Sequence, residues 1–316
     1  MERRDREVEG TLRDERGEGR IASTQDLKRR VRSITNTRKV TKAMELVASA
    51  RLRRSQQRIE AMRPYADRML ELMAGVSEAA GSVRLPLLDR RETVKTVAIV
   101  PITADRGLAG GFNAQVIRRS LALMREHRGE GREVVWFSTG RKAASTLRFR
   151  RLQVTQSWTG FSERPAYSDA QAVAHAVAEA YVNGDVDAVY VVYNAFVSAL
   201  TQRVTVRELL PISQELLEQA EDEQERDRQY SPDFIYEPEP EEILARLLPV
   251  YVETELYRAL LESAASEQGA RMTAMRNASK AAGELIDSLT LAMNRARQAE
   301  ITQEILEVVA GADALT

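Results

Sequence analysis

The feature that most constrains this chain is where proline is missing. None occurs before Pro64 or after Pro249, and both of those ends carry apolar residues three and four positions apart. A stretch without proline can form one uninterrupted helix. Spacing in threes and fours, with polar residues between, marks a narrow seam rather than the wide stripe of a globular helix. In the N-terminal segment the seam runs through Leu27, Val31, Ile34, Thr41, Met44, Ala48, Leu52, Ile59, Met62, Met69 and Met73. Ser23 or Thr24 can cap its start. Continued to about Ala80, the helix spans roughly 80 Å at 1.5 Å per residue, with a bend or local break at Pro64.

The C-terminal segment repeats the pattern from Thr254 onward. Its seam is read as Leu256, Leu260, Ser263, Ala270, Ala274, Ala281, Leu285, Ala292, Ala296, Ala299 and Leu306. These are mostly small residues, so a partner helix can approach closely. Two helices too narrow in their apolar faces to form globules most simply cover each other, which predicts an antiparallel coiled coil.

Between them the composition changes. Eleven of the 17 aromatic residues lie between Lys95 and Leu210. Val94–Ile102 is a continuous apolar run of the kind a buried strand requires. Asn113–His127 has helical spacing, Glu133–Ser138 reads as a strand, Ser168–Asn183 as an amphipathic helix, and Ala188–Asn194 and Gln202–Leu210 as further strands. Strands alternating with helices predict a small α/β domain with a mainly parallel sheet.

The 46 basic and 47 acidic residues nearly cancel, but they are segregated. Asp26–Arg63 holds twelve Lys/Arg against three Asp/Glu, net +9, and Glu215–Glu242 holds twelve acids against two arginines, net −10. Such blocks bear on partners and solvation rather than on fold. Residues 1–22 mix six arginines with seven acids and three glycines, and are read as a solvated arm, neither a signal peptide nor a transit peptide. The chain has no cysteine and only two histidines, His127 and His175. That excludes disulfides, zinc–thiolate sites, iron–sulfur clusters, a thiol nucleophile and a multi-histidine metal site. No apolar run approaches the 18 residues of a membrane span.

The most suggestive local motif is Thr103–Asn113, TADRGLAGGFN, which follows a strand and opens a helix. A phosphate loop would sit there. However, the motif fits neither G-x-G-x-x-G nor G-x-x-x-x-G-K-[ST], so it reads as a tight structural turn or partner-contact loop. Asp105 and Arg106 are read as an ion pair at the loop entry, His175 as a half-buried packing residue, and His127 as a helix C-terminal cap or dipole partner. No catalytic constellation, cofactor site or metal site can be argued from spacing.

Two long segments, Ile34–Ala48 (ITNTRKVTKAMELVA) and Ser266–Ser279 (SEQGARMTAMRNAS), stand together with Asn294–Ile305 (NRARQAEITQEI), the tail Val308–Ala312, the ADRGLAGGFN loop and Tyr236-Glu-Pro238. In combination they closely resemble the gamma subunits of rotary F-type ATP synthases, from about Ser23 to the C-terminus. The resemblance implies a fold of α/β plus long helices: an antiparallel coiled coil around a central Rossmann-like α/β domain. It also implies a non-catalytic rotor shaft of an enzyme complex, with no cofactor of its own. The coiled coil would enter the hexamer of alpha and beta subunits. The α/β domain would lie outside it, beside the epsilon subunit and above the c-ring, and proton flow through the ring would turn the shaft.

Carried over position by position, the resemblance puts Arg38, Lys39, Lys42 and Met44 against the acidic C-terminal loop of beta. Arg297, Gln298 and Thr302 fall where the family meets beta loops, and Val308–Leu315 in the apolar bearing at the top. Phe234, Ile235, Tyr236 and Glu237 match the foot on the c-ring. The resulting boundaries are a charged arm at 1–22, the N-terminal helix at 23–90, the α/β domain at 91–214, an acidic insertion at 215–232, and the foot and C-terminal helix at 233–316. The insertion occupies roughly the region where plastid members carry a regulatory cysteine pair; a chain without cysteine cannot have that switch. A bacterial complex, with this subunit peripheral to the plasma membrane on the cytoplasmic side and binding no nucleic acid, is the expected setting. Two other readings start from single features. The basic helix alone suggests a coiled-coil scaffold or polyanion-binding protein, and the glycine loop alone a small nucleotide-binding enzyme.

Overall fold

The computed structural model describes residues 23–81, 85–213 and 237–313. Helix α1 is Thr24–Ala80, a single element of 57 residues that continues through Pro64. The sheet elements follow as β1 (Thr96–Pro101), α2 (Phe112–Gly129), β2 (Glu133–Thr139), α3 (Arg141–Phe149), β3 (Val154–Trp158), α4 (Tyr167–Val182), β4 (Ala188–Phe196) and β5 (Gln202–Leu210). Helix α5, Pro240–Asp313, closes the chain with 74 residues.

The chain divides into two compact units. The larger, residues 46–274, is built on a five-stranded sheet in the order β3-β2-β1-β4-β5. β1 to β4 pair in parallel and β5 is antiparallel to β4. β1 is central and covered on both faces, which is why its sequence is an apolar run rather than an alternation. Ile99 joins Trp136 and Val192 under α2 and α3, through Val116, Leu121 and Leu147. Ala98, Val100 and Val191 face the other way, onto α4, the last turns of α1 and the first half of α5. Each fully covered Val or Ile stabilises the sheet by ~1.5–3 kcal/mol.

Asp187 holds the entry to β1. Its carboxylate accepts the backbone N–H groups of Lys95 and Thr96 at 2.7 and 2.8 Å and pairs with Arg91 at 2.6 Å. Burial opposes its charge, but those donors outweigh it and leave the carboxyl below the ordinary range.

Four expectations are corrected here. β3 and α3 were not anticipated from sequence. α5 begins at Pro240, well before Thr254, and includes Pro249. Leu244, Leu248 and Val252 around that proline are all buried, and this burial offsets the hydrogen bond that proline removes. His175 is not half-buried: its side chain is 68% exposed, and Nε2 lies 3.1 Å from Glu253. Tyr167, Gln171 and His175, each four residues apart on α4, all reach the buried Glu253 carboxylate and tie α4 to α5. His127 is buried, and burial followed by the Arg132 charge lowers its pKa, so it is a neutral packing group at pH 7 rather than a charge on the helix dipole.

The smaller unit, residues 23–45 with 275–313, is a pair of helical segments running in opposite directions. Thr24 Oγ1 donates to Glu300 at 2.6 Å, Gly283 faces the Arg38 guanidinium, and Arg276 Nε donates to Glu45 at 3.1 Å. The α1 seam follows expectation, with Leu27 buried and Val31, Ile34, Thr41 and Met44 half-buried. The α5 seam follows it only in part: Leu256, Leu260 and Ser263 are buried and Ala270, Ala274, Ala292 and Ala296 half-buried, but Ala281, Leu285, Ala299 and Leu306 are exposed. The stripe that alternates regularly by four and three runs through buried Met275 and half-buried Ser279, Ala282, Ile286, Leu289, Met293 and Ala296, which shares only Ala296 with the expected seam.

Candidate functional site

In the helical pair, the residues singled out from sequence fall on an accessible surface. Arg38, Lys39 and Lys42 are exposed on α1, while Met44 is turned half inward. Lys42 Nζ reaches Glu45 at 3.0 Å. On α5, Arg297, Gln298 and Thr302 are exposed, and the Thr302 hydroxyl donates to the Gln298 carbonyl at 2.9 Å. Arg38, Lys39 and Lys42 thus lie within about one helical turn of one another, and Arg297, Gln298 and Thr302 occupy a second patch on the other helix. Beyond it, Ile305, Leu306, Val308 and Val309 are each more than half exposed, an apolar tip that no described residue covers. Such a surface marks an interaction site. Of the expected foot, Glu237 is exposed, whereas Phe234, Ile235 and Tyr236 lie outside the described residues.

The sequence reading missed Glu45. It is only 7% exposed in the helical seam, held by Lys42 and Arg276. The available signal was an acid at the seam spacing four residues after Thr41. The hydrogen bond from Lys42, then that from Arg276, outweighs burial and lowers the Glu45 pKa below its ordinary 4.5. A depressed folded pKa contributes stability above pH 4.5 that is lost as pH falls through the folded value. Wild-type helicity in the distal pair should therefore fall more on acidification than that of Glu45→Gln, measured by circular dichroism. Superimposable acid profiles would contradict this.

The glycine loop between β1 and α2 has its polar groups committed to structure. The Asn113 side chain accepts from Ala104 N at 2.8 Å. Asp105 is not paired with Arg106. Its carboxylate accepts the backbone N–H groups of Arg141, Gly160 and Ser162 at 3.0, 2.8 and 3.2 Å. Arg106 instead faces Glu163 at 3.7 Å. Ala104, Ala109 and Phe112 form a small apolar cluster with Ala270 of α5, and Arg271 Nη2 donates to the Gly107 carbonyl at 3.3 Å. The loop therefore braces α5, the role of a structural turn. Beside it Glu267 is buried; burial raises its pKa, Arg271 opposes that, and Glu163 and Asp105 add to it.

Comparison with known proteins identifies the family. A family profile described as ATP synthase matches residues 23–315. The ATP synthase gamma chain of Rubrobacter xylanophilus is 45% identical over 295 residues, covering 93% of this chain and 99% of the relative. The sodium-ion-specific ATP synthase gamma chain of Acetobacterium woodii is 43% identical over 304 residues, with 93% and 99% covered. Among solved structures, the central stalk and c-ring of the Tetrahymena thermophila mitochondrial ATP synthase aligns with a TM-score of 0.55 at 28% identity, covering 76% of this chain and 99% of that one. A chain of the Euglena gracilis mitochondrial ATP synthase reaches a TM-score of 0.64 at 17% identity over 92% and 94%, a likeness of fold.

Proposed function

Because this chain belongs to the ATP synthase gamma-chain family, as the rotor component of the central stalk, we propose that its distal helical pair turns within a ring of alpha and beta subunits. In this reading, ion-driven rotation of the c-ring is passed through the α/β unit into the pair, and the pair's asymmetry drives the beta sites through different nucleotide affinities. The chain itself contributes no bond-making group; catalysis belongs to the subunits around it. The epsilon subunit is assigned to the side of the α/β unit. No helix among the described residues is long and apolar enough to cross a membrane. In this reading the subunit is held at the membrane by its complex, on the cytoplasmic side of a bacterial plasma membrane.

One observation carries the contact assignment. The cations Arg38, Lys39 and Lys42 are exposed on a helix whose partner-facing seam is otherwise covered. The summed field of an exposed basic face attracts acidic beta loops without requiring paired contacts, which a turning shaft needs. The apolar tip from Ile305 to Val309 suits a bearing, where neutral contacts let the end rotate.

Purification through this chain from native membranes should recover alpha and beta together, each at three copies per copy of this chain. Recovery of this chain alone would overturn the assembly. The foot is tested separately. In this cysteine-free chain, Tyr236→Cys should cross-link to a cysteine in the c-subunit polar loop, and failure while control positions succeed would remove the foot assignment.

A further inference from the structure

We propose that Glu163, in the loop between β3 and α4, is the positioning residue through which the α/β unit grips both helices of the shaft at one level. This rests on the rotor reading above and adds where torque enters the pair.

The carboxylate of Glu163 is met from three directions. Arg51 of α1 bonds to Oε2 through Nη1. Arg271 of α5 brings Nη1 to 3.9 Å from Oε1, and Arg106 of the glycine loop brings Nη1 to 3.7 Å from the same oxygen. Glu163 is 25% exposed and Arg271 only 8%, so this pair is less screened than a surface one, whereas Arg51 and Arg106 are 44% and 74% exposed. Arg271 is fixed in turn by Glu267 at 2.5 Å and by the Gly107 carbonyl at 3.3 Å. The loop carrying Glu163 is itself anchored, because Gly160 N and Ser162 N both donate to Asp105. One acid on a pinned loop therefore bridges two helices that are far apart in sequence.

Its level in the fold gives this contact a mechanical meaning. The compact α/β unit takes in α1 from Leu46 and α5 up to Ala274. Arg51 and Arg271 are thus close to the limits of that unit on their respective helices. Further toward the foot, α5 is held by apolar packing of Leu244–Leu260 on the sheet. Apolar contacts are non-directional, whereas the hydrogen bond from the Arg51 fork to Glu163 is directional, and Arg271 and Arg106, at 3.9 and 3.7 Å, add charge attraction to the same carboxylate. If the unit rotates while the distal pair is held, the twist loads this contact, and both helices are driven together because they share one carboxylate.

The test uses the intact complex fixed to a surface, with a rod attached to the α/β unit and ATP withheld. In that halted state the angular spread of the rod reports torsional stiffness. Glu163→Gln keeps the shape and removes the charge, so the spread should widen beyond that of the wild type. Glu163→Asp keeps the charge and should remain narrower than Glu163→Gln, which a role in folding alone would not produce. Should Glu163→Gln fail to assemble, Arg51→Gln removes the α1 half of the grip from a side chain that is 44% exposed, and the same widening is expected. Unchanged spread in the assembled charge-removing variant overturns the proposal. If ATP is then added and the wild-type rod does not turn, the rotor reading itself fails; if it turns and the variant spread is unchanged, only the Glu163 assignment fails.

Discussion

Gly140→Ala is expected to destabilise the α/β unit by roughly 3–5 kcal/mol, within the range of severe single substitutions. Gly140 links β2 to α3 at φ +85°, and a Cβ there would lie 1.9 Å from the Thr103 carbonyl oxygen and 2.5 Å from its carbon. No rotamer relieves a clash with backbone. Moving the turn would also break bonds on each side. Gly140 N donates to Trp158 O at 2.8 Å, Thr103 N to Thr139 O at 3.0 Å, and Ala143 N to Thr103 Oγ1 at 2.9 Å. Against a domain stability of about 5–15 kcal/mol, such a loss leaves a marginal fold. Gly131 is the control: it has φ +78° but nothing within 4 Å of an added Cβ, so Gly131→Ala should cost only about 1 kcal/mol. Urea midpoints of the two variants separate the cases, and equal shifts would show that the close approach at Gly140 is not limiting.

The second large effect concerns function. Replacing Arg38, Lys39 and Lys42 together by alanine removes the cation cluster just before Glu45, while the exposed Lys28, Arg29, Arg30 and Arg32 nearer the start of α1 remain. Alanine is a strong helix former, so the helix itself should persist. The Lys42–Glu45 pair is lost, but Arg276 still holds Glu45. The complex should therefore assemble, while ATP-driven ion pumping per ATP hydrolysed falls by roughly 2- to 30-fold, the span that 0.5–2 kcal/mol of coupling energy corresponds to. The defect should deepen less with added salt than the wild type's own decline, because the screened attraction at this cluster is already removed. Unchanged hydrolysis and pumping would remove these residues from the coupling surface.

How far the fold could be read from sequence depended on what each segment had to bury. β1 and β4 are covered on both faces and announced themselves as apolar runs. The α1 seam was legible because large residues such as Leu27, Ile34 and Leu52 fix one register. In α5, alanines at many positions make several registers look alike, and only the partner helix selects Ile286, Leu289 and Met293 over Leu285. β3 went unread because it is an edge strand with two of its five residues exposed and no need for an apolar run. α3 is short, and its buried residues are only Ala143, Ala144 and Leu147.

The site was legible in the same uneven way. Charge segregation located the basic face of α1, and the ordered motifs supplied the family resemblance. The bracing of α5 by the glycine loop was not legible, since it depends on Arg271 meeting Gly107 across 164 positions of sequence. Asp105 and Arg106 are neighbours in sequence yet bond to different partners, so adjacency there was misleading. Glu163 carries no local signal at all; its meaning comes from three arginines gathered by the fold.

The most direct test of the central claim is to watch the shaft turn. With the alpha and beta ring fixed to glass and a rod attached at Phe149→Cys, a site 88% exposed on α3, ATP should drive continuous rotation in one direction, with one pause per catalytic subunit in each turn. A rod that stays fixed, or only fluctuates, while the same complexes hydrolyse ATP would contradict the account.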